Sequence, residues 1–377
     1  MDMPTGGVRP TLSTMRVMVA PDSFGDTLTA TEAADAIGRG WRQARPSDEL
    51  VIAPQSDGGP GFVDVLATRL GTMQVLDVDG PLGDAVRARW LLDGSTAYIE
   101  ASAACGLSLL GGPPTTQTAL KSSSYGVGQL IAAALAADGV DRIYVGLGGS
   151  SCTDGGRGMI RALGGLTMAA QSVQHIDLVA ATDVENPLLG EGGAAHVFGP
   201  QKGADSDLVE MLEDLNRDWA TVLELQCGTN VAELPGAGAA GGIGAALFAL
   251  GGRSESGASV VAEVTDQRAV LSSVDLVVTG EGKFDSQSLR GKLVTRLAAA
   301  GAGSGVETIV IAGQVKLDHA QLESTGIVRA YSVTEFAGSV EKSMSDAEHQ
   351  VELLAKHAAE EYTAIRRRWP AGGQSGR

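Results

Sequence analysis

Cysteine is scarce in this 377-residue chain: Cys105, Cys152 and Cys227 are widely spaced and odd in number. That excludes a disulfide framework and any cysteine-based metal knuckle, and it fits a reducing, cytoplasmic setting. Basic residues are also few, 28 Lys and Arg against 45 Asp and Glu, a formal charge of −17. A nucleic-acid partner needs a basic footprint, so that class is excluded. No stretch approaches the ~18 consecutive apolar residues of a membrane span. The first residues lack the basic-then-apolar order of a secretory leader. The G-x-x-x-x-G-K-[S/T] phosphate loop and the protein-kinase signature set are absent too, so phosphate, if bound, is bound by other means.

Glycine, by contrast, is abundant: 52 residues, nearly twice the roughly 7% of average usage. The glycines sit at turns, without a fixed period. The most informative run is Gly146-Leu-Gly-Gly-Ser-Ser-Cys-Thr-Asp-Gly-Gly156, which follows an apolar strand at 142–145 and leads into a helix at 158–163. Free backbone N–H groups in such a loop form an anion-binding nest, and the helix start adds partial positive charge. Similar loops follow other apolar runs: Ser56-Asp-Gly-Gly59, Thr182-Asp183, Phe198-Gly-Pro-Gln-Lys-Gly-Ala204, a glycine-rich segment at 235–244, and Gly280-Glu-Gly-Lys-Phe-Asp285. Open α/β sheets collect ligand loops at the carboxyl ends of their strands.

Hydrophobic patterning predicts strands at 17–20 and 50–53 and helices at 29–42 and 61–70, the rhythm of a parallel sheet. Ala33, Ala34, Ile37 and Trp41 fall on one face of the first helix. Strands at 73–78, 85–92 and 96–101 follow without intervening helices, as an antiparallel meander. A helix at 125–137 leads to the strand at 142–145, and another strand is expected at 178–181. The parallel rhythm resumes with strands at 275–279, 308–312 and 328–333 and helices at 289–300, 318–324 and 344–367. The expected fold is α/β: a five-stranded, flavodoxin-like parallel-sheet domain (15–70 and 270–377) interrupted by an inserted mixed α/β domain (71–269). Residues 1–14 and 368–377 are expected to be disordered.

A small-molecule kinase needs N–H donors and cations for phosphates, carboxylates for Mg²⁺, a positioned hydroxyl and a base. The loops supply all of these. Asp22 ends the first strand and suits Mg²⁺ or a substrate hydroxyl, though an Asx-turn role is equally consistent. Asp57, before Gly58-Gly59, has the same two readings. Asp183 at a strand end is a candidate general base or metal ligand, with helix capping as its alternative. Lys202 is a cation inside a short loop and suits a phosphate or carboxylate. Glu281, Lys283 and Asp285 suit a Mg²⁺–phosphate site. Glu100 and Ser102 close the meander and are left outside the site, and Cys152 reads as a packed thiol because no histidine shares its loop.

Taken together these loops resemble the type I glycerate kinase family, from about Met15 to about Val333. The resemblance is carried by Ala20-Pro-Asp-Ser-Phe24, Gly80-Pro-Leu-Gly83, Gly146-Leu-Gly-Gly-Ser150 with Asp154-Gly-Gly156, and Asp183-Val with Asn186-Pro-Leu-Leu-Gly190. It extends through Phe198 to Ala204, Pro235 to Gly242, Thr279-Gly-Glu-Gly with Asp285-Ser-Gln-Ser288, and Gly291-Lys292. It implies ATP- and Mg²⁺-dependent phosphorylation of D-glycerate, usually to 2-phosphoglycerate, in a cleft between the domains; a homodimer is compatible with it. The loop chemistry put beside it leads us to expect Asp183, Lys202 and Asp285 as catalytic residues and Glu281 with Asp285 as metal ligands. Substrate and phosphate would be held by Asp22, Ser23, Asp57, Gly58, Gly59, Gly148, Gly149, Ser150, Asp154, Asn186, Gly238, Gly241, Gly280 and Lys292. The chain departs from the family pattern at Gly25-Asp26, where a lysine and a glycine are usual, and at Pro60, where a glutamate is usual. These lost charges bear on substrate identity, so a kinase of another small hydroxy acid and a non-catalytic ligand sensor stay open as alternatives.

Overall fold

The computed structural model describes residues 14–25, 27–286, 288–289, 293–323 and 325–368, and Asp26 and Lys292 lie outside the described residues. Its strands are β1 Arg16–Val19, β2 Glu49–Ile52, β3 Thr72–Asp79, β4 Ala85–Asp93, β5 Thr96–Glu100, β6 Arg142–Gly146, β7 Asp177–Ala181, β8 Arg253–Glu255, β9 Leu276–Phe284, β10 Glu307–Val315 and β11 Ile327–Ser332. The chain divides into two compact units, one of residues 1–28, 32–54 and 269–377 and one of residues 29–31 and 55–268.

The first unit holds a five-stranded sheet ordered β2-β1-β9-β10-β11, every pair parallel. Renumbered within the unit this is 2-1-3-4-5, the flavodoxin-like order. Its strands are short continuous apolar runs because both faces are covered. Val17 and Val19 pack with Ala33, Ile37 and Trp41 of helix Ala30–Ala44 and with Val351, Leu354 and Ala358 of helix Ala347–Arg368. Met18 and Ala20 point the other way, toward Leu297 of helix Leu293–Gly303, Leu271 and Val306. The helical face expected from Ala33, Ala34, Ile37 and Trp41 is fully buried.

The second unit carries a six-stranded sheet in sequential order β3 to β8. β3, β4 and β5 form the antiparallel meander, after which β5, β6, β7 and β8 run parallel. The expected helix at 61–70 is shorter, Phe62–Ala67. Phe62, Val63 and Leu66 pack on Leu91, Tyr98, Tyr144 and Val179 of this second sheet. Residues 55–70 therefore group with the second unit, not with the flavodoxin-like domain in which the sequence reading placed them.

Further elements differ from expectation, among them these. β8 is three residues, Arg-Ser-Glu, too short and polar to carry an apolar signature. Helix Ser206–Cys227 went unread because Glu213 and Asn216 interrupt its buried face. The terminal helix is broken at Asp346 (φ −133°, ψ 40°) into Val340–Ser345 and Ala347–Arg368.

The first unit is pinned by Asp48, whose side chain is fully buried. It accepts from Arg45 Nε (2.5 Å) and Nη2 (2.9 Å), Trp41 Nε1 (3.0 Å) and Met15 N (3.1 Å). Burial alone would raise its pKa, but Arg45, Trp41 and the Met15 amide outweigh that and hold the carboxyl below its usual value. A depressed carboxyl pKa stabilises the fold above the unfolded value, and the contribution is lost as pH falls. Asp48→Asn strands a buried guanidinium, so urea unfolding at pH 7 should show a loss of about 3 kcal/mol. The gap to wild type should begin to narrow below the ordinary aspartate value of about 3.9, where the unfolded chain takes up a proton, and close only at lower pH, as the native carboxylate is itself protonated.

Candidate active site

The carboxyl ends of β5, β6 and β7 converge in the second unit on backbone alone. A Cβ on Gly148 would stand 2.5 Å from Gly59 Cα, and one on Gly146 would stand 2.7 Å from the Gly58 carbonyl oxygen. Only glycine permits such contact. Among the described residues the N–H groups of Gly148, Gly149 and Ser150 have no acceptor, whereas Leu147 N donates to Ala181 O and Ser151 N to Cys105 O. Three consecutive free donors are a nest for an anion.

Lys202 lies beneath this loop. It ends a short 3₁₀ turn, Pro200–Lys202, is 3% exposed, and donates from Nζ to Ser150 Oγ (3.0 Å) and Cys152 O (2.5 Å). Burial pushes its ammonium below the ordinary lysine value, against the nearby thiols and Asp154. An ammonium held dry with only neutral acceptors is an uncompensated charge, which an anion in the nest above would relieve. Cys152 Sγ stands 3.8 Å from Cys105 Sγ, both fully buried. The neighbouring sulfur and burial push the Cys105 thiol well above its usual range, so this thiol is packing, not chemistry.

Asp154, read as a phosphate-site residue, is engaged otherwise. Its Oδ2 accepts from Ser124 N and Oγ (2.9 Å each) and Gly158 N (3.0 Å), and its Oδ1 from Gly156 N (3.1 Å). The start of helix Arg157–Ala162 is thus capped by the chain's own carboxylate, and the expected contribution of that helix terminus to an anion is already taken. Gly238 and Gly241 are packing contacts: Gly238 N donates to Asn186 O (2.9 Å), and a Cβ on Gly241 would stand 2.0 Å from Cys152 O. Asn186 turns its amide to Gly192 O (2.7 Å).

Asp57 and Asp183 are exposed at the same end of the sheet. Asp57 Oδ1 accepts from Gly59 N (3.0 Å) in an Asx turn, and Asp183 Oδ2 accepts from Ala258 N (3.2 Å) at the start of helix Gly257–Val264. Each residue is exposed while its carboxylate accepts a backbone N–H. Glu100 and Ser102, left outside the site by sequence reasoning, lie beneath Gly59 to Gly61. The available signal was a carboxylate closing an apolar strand before a run of small residues.

In the first unit β1 ends beside Val278, while β9 runs on to Phe284 along β10, so residues 280–284, expected as a loop, are strand; the strand order reverses here, the switch point at which open α/β sheets bind ligands. Asp22 N donates to Gly280 O (2.8 Å), Thr279 Oγ1 to Ala20 O (2.7 Å), and Asp22 Oδ1 accepts from Ser23 N (2.6 Å). A Cβ on Gly280 would stand 2.1 Å from Ile311 O, so β9 and β10 also close on glycine here. Asp22, Ser23, Gly280 and Glu281 are thereby brought to one edge, with one Glu281 carboxylate oxygen buried. Asp285 follows, paired with Lys283 Nζ at 2.9 Å. Among the described residues no three His, Cys, Asp or Glu groups converge as a metal cage. Mg²⁺ is usually held by one or two carboxylates plus phosphate oxygens, so the acidic edge at Asp22, Glu281 and Asp285 is compatible with it only together with a phosphate ligand. No helix among the described residues is long and apolar enough to cross a membrane.

A 2-1-3-4-5 parallel sheet, and a second unit whose glycine loop bonds a buried lysine, define an α/β protein. The comparisons agree. The Glycerate kinase family profile matches residues 17–174 and 165–363. An uncharacterized protein of Mycobacterium tuberculosis (strain CDC 1551 / Oshkosh) is 54% identical over 363 residues, 95% of each chain. The glycerate 2-kinase of Escherichia coli (strain K12) is 36% identical over 361 residues, covering 88% of this chain and 94% of that one. A crystal structure from Salmonella typhimurium LT2 assigned as a glycerate kinase 2 superposes with a TM-score of 0.73 at 32% identity, over 94% of this chain and all of that one. The chain belongs to the glycerate kinase family, and it is a kinase.

Lys202→Met removes the buried charge and both loop bonds while keeping the volume. Anion binding measured by sulfate or phosphoglycerate titration should weaken by about tenfold or more, a change of about 1.4 kcal/mol. Because the ammonium is costly to bury, the melting temperature should fall little. Unchanged anion affinity would remove Lys202 from the site.

Proposed function

We propose that this chain transfers the terminal phosphoryl group of ATP, with Mg²⁺, to the 2-hydroxyl of D-glycerate in the cytoplasm. The observation that carries the reading is the dry Lys202 ammonium under the free N–H groups of Gly148, Gly149 and Ser150. Family membership and the named function of the Escherichia coli relative support it. Phosphoryl transfer asks little covalent chemistry of the protein and much positioning and charge neutralisation. The nest and Lys202 would hold the carboxylate of glycerate or a transferred phosphoryl oxygen, with Gly58 and Gly59 admitting it closely. Asp57 or Asp183, both exposed, would accept or orient the substrate hydroxyl. In the first unit Asp22, Ser23, Gly280, Glu281 and Asp285 would meet the Mg²⁺-bound phosphates. When bound, Mg²⁺ supplies the positive charge that screens the phosphates.

A second reading, a kinase of another small hydroxy acid, is favoured by Pro60. Its exposed ring abuts Gly149: a Cβ there would stand 2.5 Å from Pro60 Cγ. An apolar wall beside the nest would suit an acceptor with fewer hydroxyls than glycerate.

Coupled ADP release with D-glycerate and a panel of short 2-hydroxy and 2,3-dihydroxy acids, at saturating Mg-ATP, separates the two. Highest kcat/KM for D-glycerate is expected, and folded protein with no turnover on any acid would refute both. General-base contributions run to about 10²–10⁴-fold. Asp183→Asn should therefore lower kcat by at least about tenfold with little change in KM for ATP. Near-normal kcat would reduce Asp183 to a helix cap.

A further inference from the structure

Glu100 ends β5 as a carboxylate that is almost wholly buried, and no step proposed above uses it. Its Oε2 accepts from Gly61 N (2.9 Å) and Val63 N (3.4 Å), and its Oε1 accepts from Ser102 Oγ (2.5 Å). Those bonds join three segments: the turn Asp57 to Gly61 with the start of helix Phe62–Ala67, the carboxyl end of β5, and the short helix Ser102–Cys105. The same turn carries Gly58 and Gly59 against Gly146 and Gly148, and Ser102 Cβ would be 3.5 Å from a Cβ on Gly149.

We propose that Glu100 is a positioning residue: its carboxylate sets the spacing between the Gly58-Gly59 turn and the Gly148-Gly149 nest, and so the fit of the anionic acceptor acid. The proposal rests on the nest reading above, and it concerns how the nest is kept in register. An apolar residue there would leave two buried N–H groups unpaired. A charged acceptor makes stronger bonds to them than a neutral one. Asp64, on the capped helix and paired with Arg89, is the charged group that bears on Glu100, and the turn itself carries Asp57, which is exposed. The Ser102–Cys105 segment adds only the Cys105 thiol, and residues 146–150 carry no titratable group.

Burial raises the Glu100 pKa above its ordinary value, against the bonds from Ser102, Val63 and Gly61. As pH falls through that raised value the carboxylate takes up a proton and an acceptor oxygen becomes a donor. The turn then loosens, and kcat/KM for the acceptor should fall on an acid limb lying above the ordinary glutamate value of about 4.3.

The test uses the full chain as Glu100→Gln, which keeps the shape, with Ser102→Ala as a milder second variant. Glu100→Gln should melt cooperatively, raise the acceptor KM at least about fivefold with kcat changed less than about threefold, and flatten the acid limb. Amide exchange of the 56–66 segment, read without substrate, should quicken about tenfold, and more modestly in Ser102→Ala. Wild-type KM, acid limb and exchange in Glu100→Gln would overturn the proposal. A wild-type chain without turnover, in which Glu100→Gln still exchanges faster, would sink the kinase reading and leave the positioning role standing.

Discussion

Backbone packed on backbone is the constraint from which the second unit follows. Where the turn after β2 meets the loop after β6, Gly58 and Gly59 lie against Gly146 and Gly148 with no room for a Cβ. Among the described residues the N–H groups of Gly148 to Ser150 have no acceptor, and Ser150 is within reach of a lysine from a distant segment. Glu100 bonds the turn that carries Gly58 and Gly59, and Lys202 bonds the loop after β6. Neither arrangement survives if a side chain is inserted between the two turns. Glycine here is a geometric requirement, and its cost in chain entropy is offset by the burial that the close contact permits.

The charge distribution follows the same logic. A chain of net charge −17 repels anionic ligands at long range, so affinity must come from cations fixed locally. Lys202 is the one buried lysine among the described residues, and Arg45, the one buried arginine, is committed to Asp48. The two are buried for opposite ends. Arg45 is neutralised by two short bonds and holds the first unit together, whereas Lys202 meets only a hydroxyl and a carbonyl. An ion pair satisfied within the fold serves stability; a cation lacking one is available to a ligand.

Much of this was legible in the chain itself. Period and run length placed both sheets, because parallel strands buried on two faces read as continuous apolar runs such as Val17 to Ala20. What failed had local causes. Residues 62–67 read as the helix of a β-α unit, but which sheet a short helix covers is settled by partners such as Leu91 and Tyr144, far away in sequence. Helix Ser206–Cys227 hid behind its buried Glu213 and Asn216. For the candidate site, residue type and glycine neighbours put forward Lys202, Asp57 and Asp183, but could not tell that Lys202 bonds Ser150 and Cys152 of the glycine loop or that Asp154 caps a helix. Glu100 was left out because a carboxylate closing an apolar strand is also an ordinary strand end, and only its burial sets it apart.

The central claim is that the acceptor acid is held by the nest at Gly148 to Ser150, backed by Lys202. The most direct measurement is a crystal structure of the chain grown with D-glycerate. The account predicts the carboxylate of the acid within hydrogen-bond reach of those three N–H groups. Glycerate bound elsewhere, with the nest filled only by water, would contradict it.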